Sequence, residues 1–245
     1  MDGYGDSTYG DSIADLYDEL YGEMDPAAAV EMLAGLAGSG RALELGIGTG
    51  RVALPLAARG VQVEGVDTSE AMVTRLREKP GGDAIKVHFG NFADVEVEGE
   101  FSLVYVPFTT LFALDSQDEQ LACLRNVSAH LMAGGRFVMD AFVPEPARFR
   151  DHQSSTVRMI ALDSVLMDVA LHDPVSQRIY SSHVLVRDGT VRLVPVRIRY
   201  CWPSELDVMA RLAGMMLENR YADYAGNEFG RDSGRHVSVY VKEPE

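Results

Sequence analysis

The chain has 245 residues, 47% hydrophobic and 24% charged, a balance that fits a soluble globular protein and excludes a disordered or fibrous one. Its formal charge of −15, from 22 basic against 37 acidic residues, repels phosphate backbones and argues against nucleic acid as a partner. Cys123 and Cys201 lack zinc-type spacing, the first residues are too acidic for a signal peptide, and no apolar run is long enough to span a membrane. These features predict a cytoplasmic protein with reduced thiols, no metal and no membrane partner.

Tyr9, Ile13, Leu16, Tyr17, Leu20 and Tyr21 recur mostly three or four residues apart. This spacing predicts a helix over 9–21 with one aromatic and aliphatic face and Ser12 as its cap. A second helix is predicted over 26–36, with Pro26 in its first turn and Gly38-Ser-Gly40 ending it. Residues 41–45 read as a strand that runs into a turn holding Gly46, Gly48 and Gly50, followed by a helix to about Arg59. Pro55 marks either an early-turn position or a kink in that helix. Glycines permit positive φ and close ligand approach, and a helix N-terminus presents unpaired N–H groups. The spacing here is Gly-x-Gly-x-Gly, not the dinucleotide Gly-x-Gly-x-x-Gly, and Glu44 stands two residues ahead of it. A carboxylate there repels a pyrophosphate and suits a positively charged amino group. Asp67, seventeen residues after Gly50, ends a second apolar run and is placed to accept both hydroxyls of a ribose. The inferred ligand carries a ribose and a cationic amino acid part, and no diphosphate.

Thr68 or Ser69 is expected to cap the next helix, with Met72 on its first turn. Residues 85–89 and 101–106 read as the third and fourth strands. Ligands of such sheets sit beyond the carboxyl ends of the strands, so Phe108, Thr109 and Thr110 become candidates to face the reacting centre. An amphipathic helix over 118–131 is closed by Gly134-Gly135, and strand five starts at Arg136. Between 151 and 200 the pattern changes to near alternation, with turn signals at Asp173-Pro174 and Asp188-Gly189, which predicts an inserted antiparallel sheet. A helix over 204–213 follows, then strand six over 215–224 and strand seven over 236–241 as the antiparallel edge partner. His183, in an alternating insert strand, is the histidine placed to face an acceptor. His88, His130 and His236 read as structural, His152 opens the insert, His172 reads as exposed beside a turn, and Trp202 as core or pocket wall.

Glu44-x-Gly46-x-Gly48-x-Gly50, then Asp67, Gly90-Asn91-Phe92 and Leu131-Met-Ala-Gly-Gly-Arg-Phe-Val in that order, resemble the class I S-adenosylmethionine-dependent methyltransferases. The resemblance runs from about Tyr9 to the C-terminus. It implies an α/β fold whose Rossmann-like seven-stranded core is built from residues 1–150 and 201–245. Residues 151–200 would form the inserted antiparallel sheet, as acceptor pocket or dimer contact. The implied cofactor is S-adenosyl-L-methionine. Its implied contacts are Tyr9, Tyr17 and Tyr21 from a Tyr-rich lid, then Glu44, Gly46, Gly48, Thr49, Gly50, Asp67, Thr68 and Val106. Met72 would pack on the adenine ring, and Phe92 would offer a backbone N–H and a ring face. Asn91 stands where the family usually has an acid that accepts from the adenine amino group; an amide oxygen accepts the same bond. Phe108 and Thr110 are implied to bind substrate, and Tyr17 and His183 are the catalytic candidates.

Size, tyrosines and insert also resemble enzymes of natural-product assembly, including amino-sugar N-methyltransferases. That likeness implies a small-molecule acceptor, with nitrogen ahead of aromatic carbon such as indole and then oxygen, and a homodimer. A nicotinamide-dependent oxidoreductase and a non-catalytic methyltransferase-like binding protein stay open as alternatives.

Overall fold

The computed structural model describes residues 1–94 and 96–243. The chain opens with α1 (Thr8–Ile13), α2 (Tyr17–Tyr21) and α3 (Ala27–Ala37). Strand β1 (Arg41–Leu45), α4 (Ala53–Ala58), β2 (Gln62–Asp67), α5 (Glu70–Arg77), β3 (Lys86–Phe89), β4 (Phe101–Val106), α6 (Gln117–His130) and β5 (Leu131–Phe142) follow. A separate meander, β6 (Gln153–Ile160), β7 (Ser164–Asp173), β8 (Arg178–Arg187) and β9 (Thr190–Arg199), comes next. Helix α7 (Pro203–Leu212), β10 (Met215–Tyr221) and β11 (Arg235–Lys242) return to the first sheet.

That sheet has seven strands in the order β10-β11-β5-β4-β1-β2-β3; β11 runs antiparallel to both neighbours and the other pairs are parallel. Strands covered on both faces must be apolar on both. Leu43, Leu45, Val104 and Val106 pack with Leu124 and Val127 of α6 and Leu206 and Met209 of α7. Ala42, Leu103 and Tyr105 pack the other way, with Leu33 of α3, Leu56 of α4 and Leu76 of α5. Each such leucine, fully buried, stabilises the fold by about 1.5–3 kcal/mol. The second sheet is antiparallel throughout. Its inner face buries Leu166, Ile179, Leu185 and Val194, whereas Leu171, Val191 and Leu193 on its outer face are exposed. A buried network ties it to the core: Arg199 donates to Gln120 at 2.5 Å and pairs with Glu205 at 2.6 Å.

Several elements depart from the sequence expectation, each for a local reason. The single helix over 9–21 is broken between α1 and α2. Arg192 of β9 takes the Ser12 carbonyl at 2.6 Å, so the Leu16 N–H turns to the Ile13 carbonyl instead. Ser12 lies inside α1, its hydroxyl donating to the Tyr9 carbonyl, and does not cap it. Pro55 occupies the first turn of α4, where its missing N–H costs nothing. Strand β5 begins at Leu131, directly after α6, so the glycine pair lies inside it, next to a register shift opposite Phe101 and Leu103. β11 is interior, and β10 is the edge. His172 is buried, stacked on Phe149 and bonded to the Tyr200 hydroxyl at 2.9 Å; Trp202 is instead 42% exposed, just ahead of α7. Both cysteines are buried and free. Among the described residues, no helix is long and apolar enough to cross a membrane.

Candidate functional site

A cavity of about 460 Å³ opens where the carboxyl ends of β1, β2 and β4 meet the inner face of the second sheet. Its volume suits a small-molecule site. Gly46, Gly48 and Gly50 have φ of +69°, +55° and +77°, a region open to glycine and strained for other residues. A Cβ on Gly46 would lie 2.6 Å from the Thr110 methyl, so the first glycine keeps the cavity floor open. On Gly50 it would lie 2.3 Å from Leu76 Cδ1, so the third glycine serves the packing of α5. Asp67 closes the turn: its carboxylate accepts from the Gly48 N–H at 2.7 Å and the Ser69 N–H at 2.8 Å. Ser69 caps α5, accepting from the Met72 N–H at 3.2 Å.

Glu44 lies at the bottom, 2% exposed, accepting from the Tyr105 hydroxyl at 2.7 Å. Burial pushes its carboxyl up to about 8, against the pull of the Tyr105 hydrogen bond. Burial likewise raises Asp67 above its ordinary value. Arg51 projects from the end of the glycine turn, stacked 3.6 Å over the Phe108 ring, and donates to the Tyr21 carbonyl at 3.0 Å. Its Nε is buried with no partner among the described residues. Phe108 and Thr109 hold positive φ, +59° and +69°. Such strain persists only where the surroundings fix it. Asp140 of β5 does so: its carboxylate accepts from the Phe108 N–H at 2.7 Å and its carbonyl from the Thr109 N–H at 3.0 Å.

Helices α1 and α2 cover the cavity. Ile13, Ala14, Met72 and Val194 form a small buried cluster with Tyr9, Leu16, Tyr17, Leu20 and Tyr21 around it. Polar ties run both ways. Asp18 accepts from the Thr49 hydroxyl at 2.7 Å and pairs with Lys79 at 2.7 Å, while Arg192 pairs with Asp15 and Arg187 with Glu19. Burial pushes the Tyr17 phenol up to about 12 and the Tyr9 phenol well above its ordinary value.

The second sheet contributes Arg158, Asp168, His183, Val196, Arg197 and Ile198 to the wall. His183 and Asp168 face each other across β8 and β7, with Nδ1 and Oδ1 2.6 Å apart. An ionised carboxylate only accepts, so Nδ1 carries a proton, and in the neutral ring Nε2 holds the lone pair. Burial raises the Asp168 carboxyl, but the His183 hydrogen bond and the charges of His183 and Arg158 outweigh it and hold the group below its ordinary value. Nε2 lies 3.4 Å from the Tyr21 hydroxyl, and the Tyr9 ring meets the imidazole edge-on at 6.4 Å.

The structure brings Tyr9, Tyr17, Glu44, Gly46, Gly48, Thr49, Asp67, Thr68, Met72, Asn91, Phe92, Phe108, Thr110 and His183 to this one cavity. Three expected contacts are not on its wall. Gly50 faces Leu76 and Leu54, Val106 is fully buried in the core beneath, and Tyr21 sets its hydroxyl 3.4 Å from His183 Nε2 and its ring against Tyr17. Asn91 lines the cavity, but its side-chain oxygen turns back to the Ala93 N–H at 2.9 Å. Sequence reasoning missed Arg51, Asp140, Asp168 and Asp6. The hairpin register between Asp173 and Arg178 would have placed Asp168 opposite His183. Single acidic residues at Asp6 and Asp140 carry no pattern.

The methyltransferase domain family matches residues 42–135. The CcbJ methyltransferase of Streptomyces caelestis is 40% identical, with a TM-score of 0.93 over 98% of this chain and 100% of that one. The cypemycin N-terminal methyltransferase of a Streptomyces species is 28% identical over 207 residues, 82% of each chain. An amino pentose methyltransferase of calicheamicin biosynthesis from Micromonospora echinaspora, solved with S-adenosylmethionine bound, shares the fold. Its TM-score is 0.70 at 22% identity, over 93% of this chain and 96% of that one.

Proposed function

Since the chain belongs to the class I S-adenosylmethionine-dependent methyltransferases, we propose that it methylates a nitrogen of a small natural-product molecule. The observation that carries this reading is the His183–Asp168 pair, on the second-sheet side of a cavity whose other side is the glycine turn. Residues 1–150 and 201–245 are read as the cofactor core and residues 151–200 as the acceptor unit. The residues present fit the cofactor: a floor that a Cβ on Gly46 would fill, a buried acid at Glu44 and a buried guanidinium nitrogen with no partner among the described residues. Asp67 would hold the ribose, Met72 and Phe92 the adenine, Arg51 the carboxylate and Glu44 the positive charge. Bound S-adenosylmethionine supplies an electrophilic methyl group on a sulfonium.

The protein's own task is orientation and proton removal. Phe108, held by Asp140, and Thr110, whose hydroxyl donates to the Pro107 carbonyl, would shape the space beside the acceptor. His183 Nε2 takes the proton that an amine must lose. Asp168 holds the tautomer that makes this lone pair available. An alkyl amine is mostly protonated near neutral pH and must lose a proton before its lone pair can attack, whereas a neutral ring carbon attacks first and loses its proton afterwards, so the pair favours nitrogen over carbon. The cypemycin N-terminal methyltransferase, by its name a methyltransferase of an N-terminus, supports nitrogen as the acceptor. The test is incubation with methyl-labelled cofactor and a panel of amines, indoles and phenols, the product read by NMR. Label on an amine nitrogen is expected. Label confined to ring carbon would reject the nitrogen reading, and no label on any acceptor would favour a non-catalytic binding protein.

Glu44 yields a pH prediction. With its carboxyl at about 8 it is mostly protonated at neutral pH in the free protein. A bound cation favours the ionised form and lowers that value. Cofactor binding then releases a proton, and affinity rises with pH until it levels off above about 8. Calorimetry in buffers of different ionisation enthalpy should show this release, and Glu44→Gln should abolish both it and the pH slope. An unchanged slope in the variant would exclude Glu44 as the group that meets the charge.

A further inference from the structure

We propose that Asp6, supplied by the N-terminal segment, rather than Asn91, accepts the hydrogen bond of the cofactor's adenine amino group. The proposal rests on the reading that this cavity seats the adenosyl group. The Asn91 side-chain oxygen already accepts from the Ala93 N–H at 2.9 Å. Its amide nitrogen points the other way and donates to Asp6 Oδ2 at 2.8 Å. The two partners fix the amide orientation independently, since a backbone N–H only donates and an ionised carboxylate only accepts. Asn91 therefore presents a donor to the cavity side, which an amino group cannot use.

The missing acceptor stands directly beside it. Asp6 lines the cavity together with Asn91, Phe92, Asp67, Thr68 and Met72. Its carbonyl accepts from the Thr68 hydroxyl at 3.2 Å, so it bridges the ends of β2 and β3, the flanks of the adenine seat. A carboxylate offers about four lone-pair positions, and Asn91 engages one. The segment is held there further along: Asp11 accepts from the Ser69 hydroxyl at 2.6 Å, and a Cβ on Gly10 would lie 2.6 Å from Ser69 Cβ. Asn91 thus positions a carboxylate that comes from the lid. Recognition of the base is then complete only when the N-terminal segment is seated, which makes lid docking a condition of cofactor selection.

The test compares affinity for S-adenosylhomocysteine with affinity for its 6-deamino purine analogue, which lacks the amino group and keeps N1 as an acceptor. The full chain is measured as wild type, Asp6→Ala, and Asp6→Ala with Asn91→Asp. Wild type should prefer the amino compound about tenfold, within the range for a hydrogen bond to a charged group. Asp6→Ala should bring the ratio close to one, and Asn91→Asp in that background should restore it. General loosening of the lid weakens both compounds and leaves the ratio alone, so an unchanged ratio in Asp6→Ala overturns the proposal. A wild-type ratio near one, or no restoration by Asn91→Asp, overturns it as well. Asp67→Ala separates the two levels: if it alters affinity for neither compound, the adenosyl seat itself is misplaced.

Discussion

Replacing His183 with alanine is expected to slow methylation of an amine by about 10²–10⁴-fold, the usual contribution of a general acid–base group, with cofactor affinity held within about twofold. The reason is geometric. Nδ1 is committed to Asp168 at 2.6 Å, so Nε2 is the basic atom, and the ring lies on the acceptor side of the cavity. In the variant the proton must leave the acceptor amine without help from the protein, which should shift activity to higher pH. Added imidazole should restore part of the rate at neutral pH. Asp168→Asn should show a smaller loss, because an amide oxygen still accepts from Nδ1–H but carries no charge to balance the imidazolium. Full activity of His183→Ala at neutral pH, with an unshifted profile, would remove the proton-transfer role and leave the ring as part of the wall.

Much of the core was legible because its physics is local. The run Phe101–Val106 is apolar apart from Ser102, is bounded by glycine and proline, and becomes a strand buried on both faces. The second sheet was legible from alternation, since one face is buried and the other exposed. What was not legible depended on partners distant in sequence. The break between α1 and α2 is made by Arg192, about 180 residues away, competing for a carbonyl. Gly134-Gly135 has the composition of a stop, yet β5 already pairs with β4 at Leu131 and resumes at Arg136, with the glycines in the register shift between them. His172 looked exposed because it precedes a turn; Phe149 and Tyr200 cover it from outside its own strand.

The site divides along the same line. The glycine turn, Glu44 and Asp67 follow one another within a single strand-turn-helix-strand unit, so spacing alone placed them at one end of the sheet. Asp140 showed nothing in the run Val138–Ala141, although it holds the backbone of Phe108 and Thr109 in place. Arg51 sits where the glycine turn runs into the predicted helix, and its residue type there signals no ligand contact. Its position over Phe108, with Nε buried and lacking a partner among the described residues, depends on the lid and the loop after β4 closing around it. Asn91 is the instructive case: its residue type was compatible with the expected contact, and its conformation is not.

Asp67→Ala is expected to weaken S-adenosylmethionine binding by about 3–6 kcal/mol, roughly 10²–10⁴ in Kd, if two ribose hydroxyls each lose a bond to a charged oxygen. The carboxylate has a second duty that the experiment must separate. It accepts from the Gly48 N–H at 2.7 Å and the Ser69 N–H at 2.8 Å, so its loss leaves buried donors unpaired at the turn and at the start of α5. Each such donor costs about 1–3 kcal/mol of stability, which thermal unfolding of the ligand-free protein measures directly. Binding is therefore read by calorimetry below the onset of unfolding, with the folded fraction checked by circular dichroism. The 2′,3′-dideoxy analogue of S-adenosylhomocysteine isolates the ribose contribution, because it keeps every other contact. Wild type should discriminate strongly against it and Asp67→Ala should not. If the variant lowers stability but preserves that discrimination, Asp67 is a structural brace of the glycine turn and the hydroxyls are held by other groups.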